Sequence, residues 1–144
     1  MAKILAVNIS EKKGVIKHSI EKGYFKVEHG LEGDAHAGKW HRQVSLLGME
    51  SIEKMKKMGI EGLCPGKFAE NLTTEGIVLF ELPVGTVLRA GEVLMEVTQI
   101  GKECHLGCEI RKQVGDCVMP REGIFTRILV GGWIKPGDEI VVER

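Results

Sequence analysis

The residues best suited to chemistry in this sequence lie between Gly101 and Arg127. This stretch holds three of the four cysteines, at positions 104, 108 and 117, and a histidine at position 105. Thiolate and imidazole are the usual ligands of zinc and of softer metal ions, so a metal site is one interpretation. A structural zinc site usually presents two pairs of ligands, however, and Cys117 follows Cys108 after 8 intervening residues without a close partner.

A reactive or ligating thiol is the second interpretation, and it centres on Cys104. A cysteine becomes nucleophilic when nearby positive charge stabilises its thiolate. The stretch supplies that charge, and the same side chains would hold an anionic ligand. They are Lys102, His105, Arg111, Lys112, Arg121 and Arg127. Cys104 also follows closely on the apolar run VLMEVTQI, at the end of a predicted strand, where functional side chains often emerge. The third interpretation is that all the cysteines, including Cys64, are small buried side chains.

A second polar cluster lies in the glycine-rich segment that ends at Arg42. Glycines at positions 30, 33 and 38 permit positive φ angles and close backbone approach, and the segment carries three histidines together with Asp34. These residues would form either the wall of a binding pocket or a solvated connection between strands. Asn71 is also open to two interpretations, a ligand contact or a structural hydrogen bond.

Short apolar runs separated by glycine turns predict the scaffold that must position these groups. Residues 3–9 and 43–47 are strand candidates, and residues 49–58 have the periodicity of a helix. From Ile77 onward the runs IVLFEL, TVLRAG, VLMEVTQI, IFTRILVGG and DEIVVER predict further strands joined by turns rich in proline and glycine. Residues 15–26 are polar and contain Gly23, so they could form either an extended loop or a weak hairpin arm. The sequence predicts a mainly β fold, a small barrel or closed sheet with one or a few short helices, in a single domain spanning residues 1–144.

Composition and charge narrow the class of protein. The chain has 144 residues, enough for one domain with its own hydrophobic core. Its 20 basic and 20 acidic residues balance, which argues against a protein that binds nucleic acid or a membrane surface through its overall charge. No apolar run is long enough to span a bilayer, and the first residues do not form a signal peptide. We therefore expect a cytoplasmic protein whose thiols are reduced.

Several sequence blocks, in order along nearly the whole chain, resemble the MOSC domain family, the module named after the C-terminal domain of molybdenum cofactor sulfurase. They are GLEGDAHAG, RQVSLL, PGKFAENLTTEG, LPVGTVLRAG, VTQIGKECH, GDCVMPREGIFTRIL and GGWIKPGDEI. The resemblance implies a MOSC-type β-barrel and a role in molybdenum-cofactor or sulfur chemistry. It places Cys104 as a carrier of sulfane sulfur in a persulfide, or as the thiolate that ligates molybdenum. The cofactor-binding residues that the resemblance and the local charge indicate are Asp34, His36, Arg42, Asn71, Lys102, His105, Arg121 and Arg127, with Cys108 and Cys117 as supporting thiols.

The resemblance also implies what the protein would work with. Molybdenum cofactor (molybdopterin) is the expected cofactor. The family is also associated with pyridoxal phosphate, but no lysine stands out here as its site. The activity would be sulfur transfer or a molybdenum-dependent reduction of N-hydroxylated compounds, with a sulfur-donor protein or proteins of molybdopterin biosynthesis as partners. Two alternatives stay open, a non-catalytic module that binds the cofactor or molybdate, and a zinc-stabilised domain. Exposed strand edges in a small barrel make a homodimer plausible.

Overall fold

The computed structural model, which describes residues 2–12, 17–35, 37–57, 70–101 and 122–143, is built mainly from β-strands, as the sequence predicts. The strands are β1 (Lys3–Ile9), β2 (His18–Ile20), β3 (Gly23–Lys26), β4 (Gly30–Leu31), β5 (Val44–Gly48), β6 (Leu72–Glu75), β7 (Val87–Ala90), β8 (Val93–Ile100), β9 (Ile124–Val130), β10 (Gly132–Ile134) and β11 (Ile140–Val142). Helix α1 spans Met49–Lys57, and a short 3-10 helix spans Leu79–Glu81.

Most of these strands belong to one eight-stranded sheet with the order β11-β7-β8-β9-β5-β6-β1-β2. Neighbouring strands are antiparallel, except that β5 and β6 are parallel. A parallel pair needs a crossover connection, and α1 lies in the segment that joins these two strands. The helix contacts both of them, and its residue Ile52 is fully buried.

The hydrophobic core draws its side chains from this sheet and from a second, three-stranded sheet with the order β10-β3-β4. Along β8, the buried residues Val93, Met95 and Val97 alternate with more exposed ones, as the two-residue period of a strand requires. Phe25 of β3 and Ile134 of β10 enter the same core from the second sheet. Burial of each large aliphatic or aromatic side chain contributes about 1.5–3 kcal/mol, so the scaffold is held mainly by this shared cluster.

The two ends of the large sheet approach each other without forming a full ladder. Ile4 N–H donates to the Asp138 carbonyl at 2.7 Å, and Gly137 N–H donates to the Ile4 carbonyl at 2.7 Å. Lys3 and Glu139 form an isolated bridge between β1 and the residues before β11. The mainly β class is therefore confirmed, whereas the strand ladders of the described residues do not form a closed barrel.

Two local predictions can be compared with the structure directly. The predicted helix begins at Met49 as expected, and its observed end at Lys57 adjoins residues outside the described ranges. The predicted strand IVLFEL is wrong, because Leu79–Glu81 forms a 3-10 helix. Leu79 is buried, Ile77 and Leu82 are partly buried against the core, and Val78 is 50% exposed. The inward side chains at 77, 79 and 82 thus depart from the strict two-residue alternation of a strand. None of the helices within the described ranges is long and apolar enough to cross a membrane.

Candidate functional site

The candidate site forms around Gln99, near the end of β8. The register between β8 and β9 shifts between Val97 and Gln99. A β-bulge of this kind changes the direction in which a side chain points, and such bulges are common beside active sites. Gln99 is half-buried and lies two residues before Gly101, where the cysteine-rich stretch begins. The bulge thus places a polar side chain at the end of the strand that leads toward Cys104.

Gln99 connects the end of the glycine-rich segment to Gly101. Arg42 Nε donates a hydrogen bond to Gln99 Oε1 at 3.0 Å, and His41 Nε2 lies 2.9 Å from the same oxygen. Gln99 Nε2 donates to the Gly101 carbonyl oxygen at 2.7 Å. Two regions that the sequence singled out separately, the segment ending at Arg42 and the start of the cysteine-rich stretch, therefore meet at one side chain.

Thr98 and Phe125 complete this cluster. Thr98 Oγ1 is in hydrogen-bonding contact with the His41 carbonyl oxygen, and it lies 3.1 Å from the carbonyl oxygen of Phe125. The Arg42 guanidinium lies 5.5 Å from the centre of the Phe125 ring and 5.8 Å from that of Trp40. Both distances are within the range of cation–π attraction. Since Phe125 is buried, its ring forms a rigid apolar support for the Arg42 side chain.

The charge of Arg42 is not compensated by a carboxylate of the described residues. The structure describes two other arginines, and both are ion-paired. Arg89 Nε donates to Glu143 Oε1 at 2.7 Å, and Arg127 Nε donates to Glu96 Oε1 at 2.6 Å. Arg42 instead donates to the neutral amide of Gln99. A half-buried guanidinium held by a neutral acceptor keeps its full positive charge available to an anion.

Arg127, a predicted cofactor-binding residue, lies on β9, the strand that also carries Phe125. It follows Phe125 by two residues on β9, so both side chains point to the same face of the sheet. Its Nε is occupied by Glu96, and its side chain is 46% exposed. A ligand contact by Arg127 stays a prediction, and it would require the guanidinium to serve Glu96 and the ligand together.

Asp34, another predicted pocket residue, is engaged in a buried ion pair. Its Oδ1 accepts a hydrogen bond from Lys17 Nζ at 2.7 Å, and both side chains are 0% exposed. Lys17 Nζ also donates to Ser10 Oγ at 3.0 Å, and Ser10 N–H donates to Asp34 Oδ1 at 3.1 Å. This arrangement fastens the glycine-rich segment to the end of β1. A direct role of Asp34 in ligand binding stays a prediction, and the geometry shows a positioning role.

Asn71 belongs to a buried hydrogen-bond network that joins β1, β5 and the start of β6. Its Oδ1 accepts from Ser45 N–H at 3.0 Å and from Ser45 Oγ at 3.2 Å, and its Nδ2 donates to the Asn8 carbonyl at 3.2 Å. The structural interpretation of Asn71 thus has direct support. Its proposed ligand contact stays a prediction.

The remaining predicted site residues lie outside the described ranges. They are His36, Lys102, Cys104, His105, Cys108, Cys117 and Arg121, and Cys64 also lies outside. Gly101 and Glu122 are the described residues that flank positions 102–121, and Gln99 Nε2 donates a hydrogen bond to the Gly101 carbonyl. The zinc alternative rests on Cys104, His105, Cys108 and Cys117, so it stays a prediction. Elsewhere, in the ranges that the structure does describe, no three histidine, cysteine, aspartate or glutamate side chains are close enough to hold a metal ion.

Sequence reasoning did not single out Gln99 or Glu70 as functional candidates. Gln99 stands inside the block VTQIGKECH, but a glutamine at the end of an apolar run has no chemical signature of its own. Glu70 is fully buried, and its Oε2 accepts a hydrogen bond from Thr73 Oγ1 at 2.7 Å. The only signal for Glu70 in the sequence is weak: it is an acidic residue within the apolar and polar block PGKFAENLTTEG. Acidic side chains are rarely buried without a partner, so its burial could be recognised only from the structure.

The family comparison identifies the region that contains the cluster. The sequence model of the MOSC domain matches residues 33–141 of this chain. The match includes Arg42, Gln99 and Cys104, and it covers well over half of the chain. No curated protein shows significant sequence similarity to this chain.

Solved structures share the fold at low sequence identity. YuaD from Bacillus subtilis is 19% identical, with a TM-score of 0.80 over 97% of this chain and 94% of that protein. YiiM from Geobacillus stearothermophilus is 19% identical, with a TM-score of 0.79 over 100% of this chain and 76% of that protein. YiiM from Escherichia coli is 18% identical, with a TM-score of 0.72 over 100% of this chain and 70% of that protein. At these identities the likeness establishes the fold alone.

Proposed function

Because this chain belongs to the MOSC domain family, whose role is linked to the molybdenum cofactor, we propose that it binds or services that cofactor through Cys104. In this proposal the Cys104 thiolate either carries sulfane sulfur as a persulfide or ligates molybdenum. A cytoplasmic location, expected from the sequence, would keep this thiol reduced and therefore available.

The observation that carries the proposal is the link from Arg42 through Gln99 to Gly101. Gly101 precedes Cys104 by three residues, so Arg42, whose charge no carboxylate of the described ranges compensates, is linked to the backbone that precedes the thiol in sequence. Positive charge near a cysteine lowers the cost of forming its thiolate, and both proposed roles need the thiolate. The basic residues that the sequence places after Gly101 would add to the same field.

The described residues fit an anionic cofactor. Molybdopterin carries a phosphate, and the Arg42 guanidinium is a cation without a carboxylate partner among the described residues, in a half-buried position. Arg42 would hold the anionic part of the cofactor. His36 is a further contact implied by the family resemblance, and Lys102, His105 and Arg121 are contacts indicated by the local positive charge. The bound cofactor would supply a molybdenum centre for redox chemistry. Within the protein, Gln99 orients Arg42, and Lys17 with Asp34 holds the segment on which Arg42 lies.

If Cys104 carries sulfur, the transfer has a defined balance. The Cys104 thiolate attacks the outer sulfur of a persulfide on a donor protein, and the sulfur–sulfur bond of the donor breaks. The donor leaves as a thiolate, and Cys104 becomes the persulfide. This exchange needs no external oxidant, because the sulfane sulfur keeps its oxidation state. A sulfur-donor or molybdopterin-biosynthesis protein is therefore the proposed partner.

The test replaces one thiol at a time. The variant Cys104→Ser, incubated with a persulfide donor, should lose the added sulfur in native mass spectrometry and should not retain molybdopterin during purification. Cys64→Ser is the matched control and should behave as the unmodified protein does. Circular dichroism must show that both variants are folded. Persulfide formation and cofactor retention at full level in Cys104→Ser would contradict the proposal.

The same preparations separate the proposed function from its alternatives. A sulfur transferase or a reductase of N-hydroxylated compounds should turn over substrate, whereas a binding module should retain the cofactor or molybdate without turnover. Elemental analysis decides the zinc-stabilised alternative: stoichiometric zinc, with loss of folding on chelation, would favour it over a role for Cys104 as the sole ligating thiol.

A further inference from the structure

We propose that Arg42 is the binding group for an oxyanion, and that Gln99 is the positioning residue that keeps its guanidinium oriented and uncompensated. The ligand class is a tetrahedral oxyanion, either free or as the phosphate group of a monoester. This inference deepens the proposed function and rests on it for the location of the site, but it depends on Arg42 and Gln99 and not on the thiol.

The first support is the contrast between Arg42 and the other described arginines. Arg89 and Arg127 each donate Nε to a glutamate at 2.7 and 2.6 Å, so their charges are neutralised within the fold. Arg42 donates Nε to an amide oxygen at 3.0 Å in the equivalent way, but that acceptor carries no charge. Arg42 therefore makes the same kind of Nε contact as the other two arginines, but its acceptor is an uncharged amide and not a carboxylate.

The second support is the number of contacts that hold the Arg42 side chain in one orientation. Gln99 fixes Nε, and the rings of Phe125 and Trp40 lie 5.5 and 5.8 Å from the guanidinium carbon. Arginine carries five N–H donors in a planar fork, and the bond to Gln99 uses the one on Nε. Within the part of the chain that the structure describes, no hydrogen bond engages the two terminal nitrogens, and they form a fork that matches two oxygens of one oxyanion.

The third support is that the amide of Gln99 can adopt only one orientation. Its Nε2 donates to the Gly101 carbonyl at 2.7 Å, so its Oε1 must face Arg42 and His41. Because an amide oxygen only accepts, His41 Nε2 must carry the hydrogen in the 2.9 Å contact. Both groups that face Gln99 Oε1 are therefore donors, and a reversed amide would set N–H against N–H. The contacts of Gln99 therefore fix its amide oxygen as an uncharged acceptor for Arg42 and His41.

The decisive variant is Gln99→Glu, which has nearly the same shape and places a carboxylate where the amide oxygen stands. A purely structural role for Gln99 predicts a loss of stability only, because the carboxylate still accepts from Arg42 and His41 but cannot donate to the Gly101 carbonyl. An oxyanion site would not tolerate it, because the new carboxylate would neutralise Arg42 as Glu96 neutralises Arg127. The two roles therefore predict different anion affinities for the folded variant, unchanged for a structural role and weakened for an oxyanion site.

The experiment is isothermal titration of the folded protein at low ionic strength with three probes, sodium molybdate, inorganic phosphate and phenyl phosphate. The unmodified protein should bind at least one probe with one-to-one stoichiometry, and added sodium chloride should weaken the binding. Gln99→Glu and Arg42→Gln should each weaken it at least about tenfold, the factor that corresponds to ~1.4 kcal/mol. Arg89→Gln removes an arginine outside the cluster and should leave the affinity unchanged. Preference for phenyl phosphate would indicate a phosphate monoester as the ligand, and preference for molybdate would indicate the free oxyanion.

The outcomes that overturn the inference are specific. If Gln99→Glu binds the probes as tightly as the unmodified protein does, or if none of the probes binds, Arg42 is not an oxyanion site. Should Gln99→Glu fail to fold, unchanged affinity in Arg42→Gln would overturn the inference equally. The titration repeated with Cys104→Ser distinguishes it from the proposed function. That variant should keep its oxyanion affinity even where it loses the persulfide.

Discussion

The buried ion pair between Lys17 and Asp34 provides a quantitative test of how the glycine-rich segment is held. Both side chains are 0% exposed, and the Nζ–Oδ1 distance is 2.7 Å. Removing one partner takes away the opposite charge that lies 2.7 Å from the other, and breaking a buried pair in this way typically destabilises a protein by about 3–5 kcal/mol. We therefore expect Lys17→Met and Asp34→Asn each to lower the free energy of unfolding by ~3–5 kcal/mol.

The expected change in melting temperature follows from the size of the chain. The entropy of unfolding is about 2.1 cal/mol/K per residue. For 144 residues this gives about 0.3 kcal/mol/K, so each kcal/mol shifts the melting temperature by about 3 °C. The single variants should melt ~10–15 °C below the unmodified protein in differential scanning calorimetry. The double variant should cost less than the sum of the two single variants, because it removes both charges of the pair together.

An exposed ion pair on the same part of the fold supplies the control. Lys26 Nζ lies 3.5 Å from Glu32 Oε2, and the two side chains are 51% and 55% exposed. Exposed pairs contribute about 0–1 kcal/mol, so Lys26→Met should shift the melting temperature by no more than ~3 °C. If Lys17→Met and Asp34→Asn were as mild as Lys26→Met, the buried pair would not be what holds the segment, and the reasoning would be refuted.

Two further pairs of variants test neighbouring or similar residues that the structure places in different environments. Thr73 Oγ1 makes two buried hydrogen bonds, while Thr74 Oγ1 is buried with no hydrogen-bond partner in the described structure. Urea unfolding should therefore show a loss of about 1–3 kcal/mol for Thr73→Val and no loss for Thr74→Val. Gly30 has a φ of 109°, and an added Cβ would lie 2.6 Å from the Gln43 carbonyl oxygen, so Gly30→Ala should cost about 2 kcal/mol or more. Gly85 has a φ of 97° but open space around the Cβ position, so Gly85→Ala should cost only about 1 kcal/mol in the same assay. Equal losses for the two threonine variants, or for the two glycine variants, would contradict these expectations.

Periodic patterns along the chain predicted most of the fold. The alternating or continuous apolar runs of β1, β5 and β8 were assigned from the sequence, and helix α1 was placed with its correct start. These assignments succeed because burial of one face of a strand or helix imposes a period on neighbouring residues. The run IVLFEL was wrongly assigned because it is apolar without such a period. Residues 15–26, which contain β2 and β3, were left open between an extended loop and a weak hairpin arm because they are polar.

The sequence by itself determined the family, the mainly β class and the concentration of cysteines and basic residues after Gly101. Only the tertiary structure decided which polar side chains act together. Lys17 and Asp34 are 17 residues apart in the chain, and Arg42 and Gln99 are 57 apart. A local sequence pattern does not show which distant residues pair, because the free-energy cost of burying a charge depends on the partner that the fold places beside it. For that reason Asp34 and Arg42 look alike in the sequence as polar residues of one loop. The fold gives Asp34 a buried counterion, whereas among the described residues it gives Arg42 an uncharged amide acceptor.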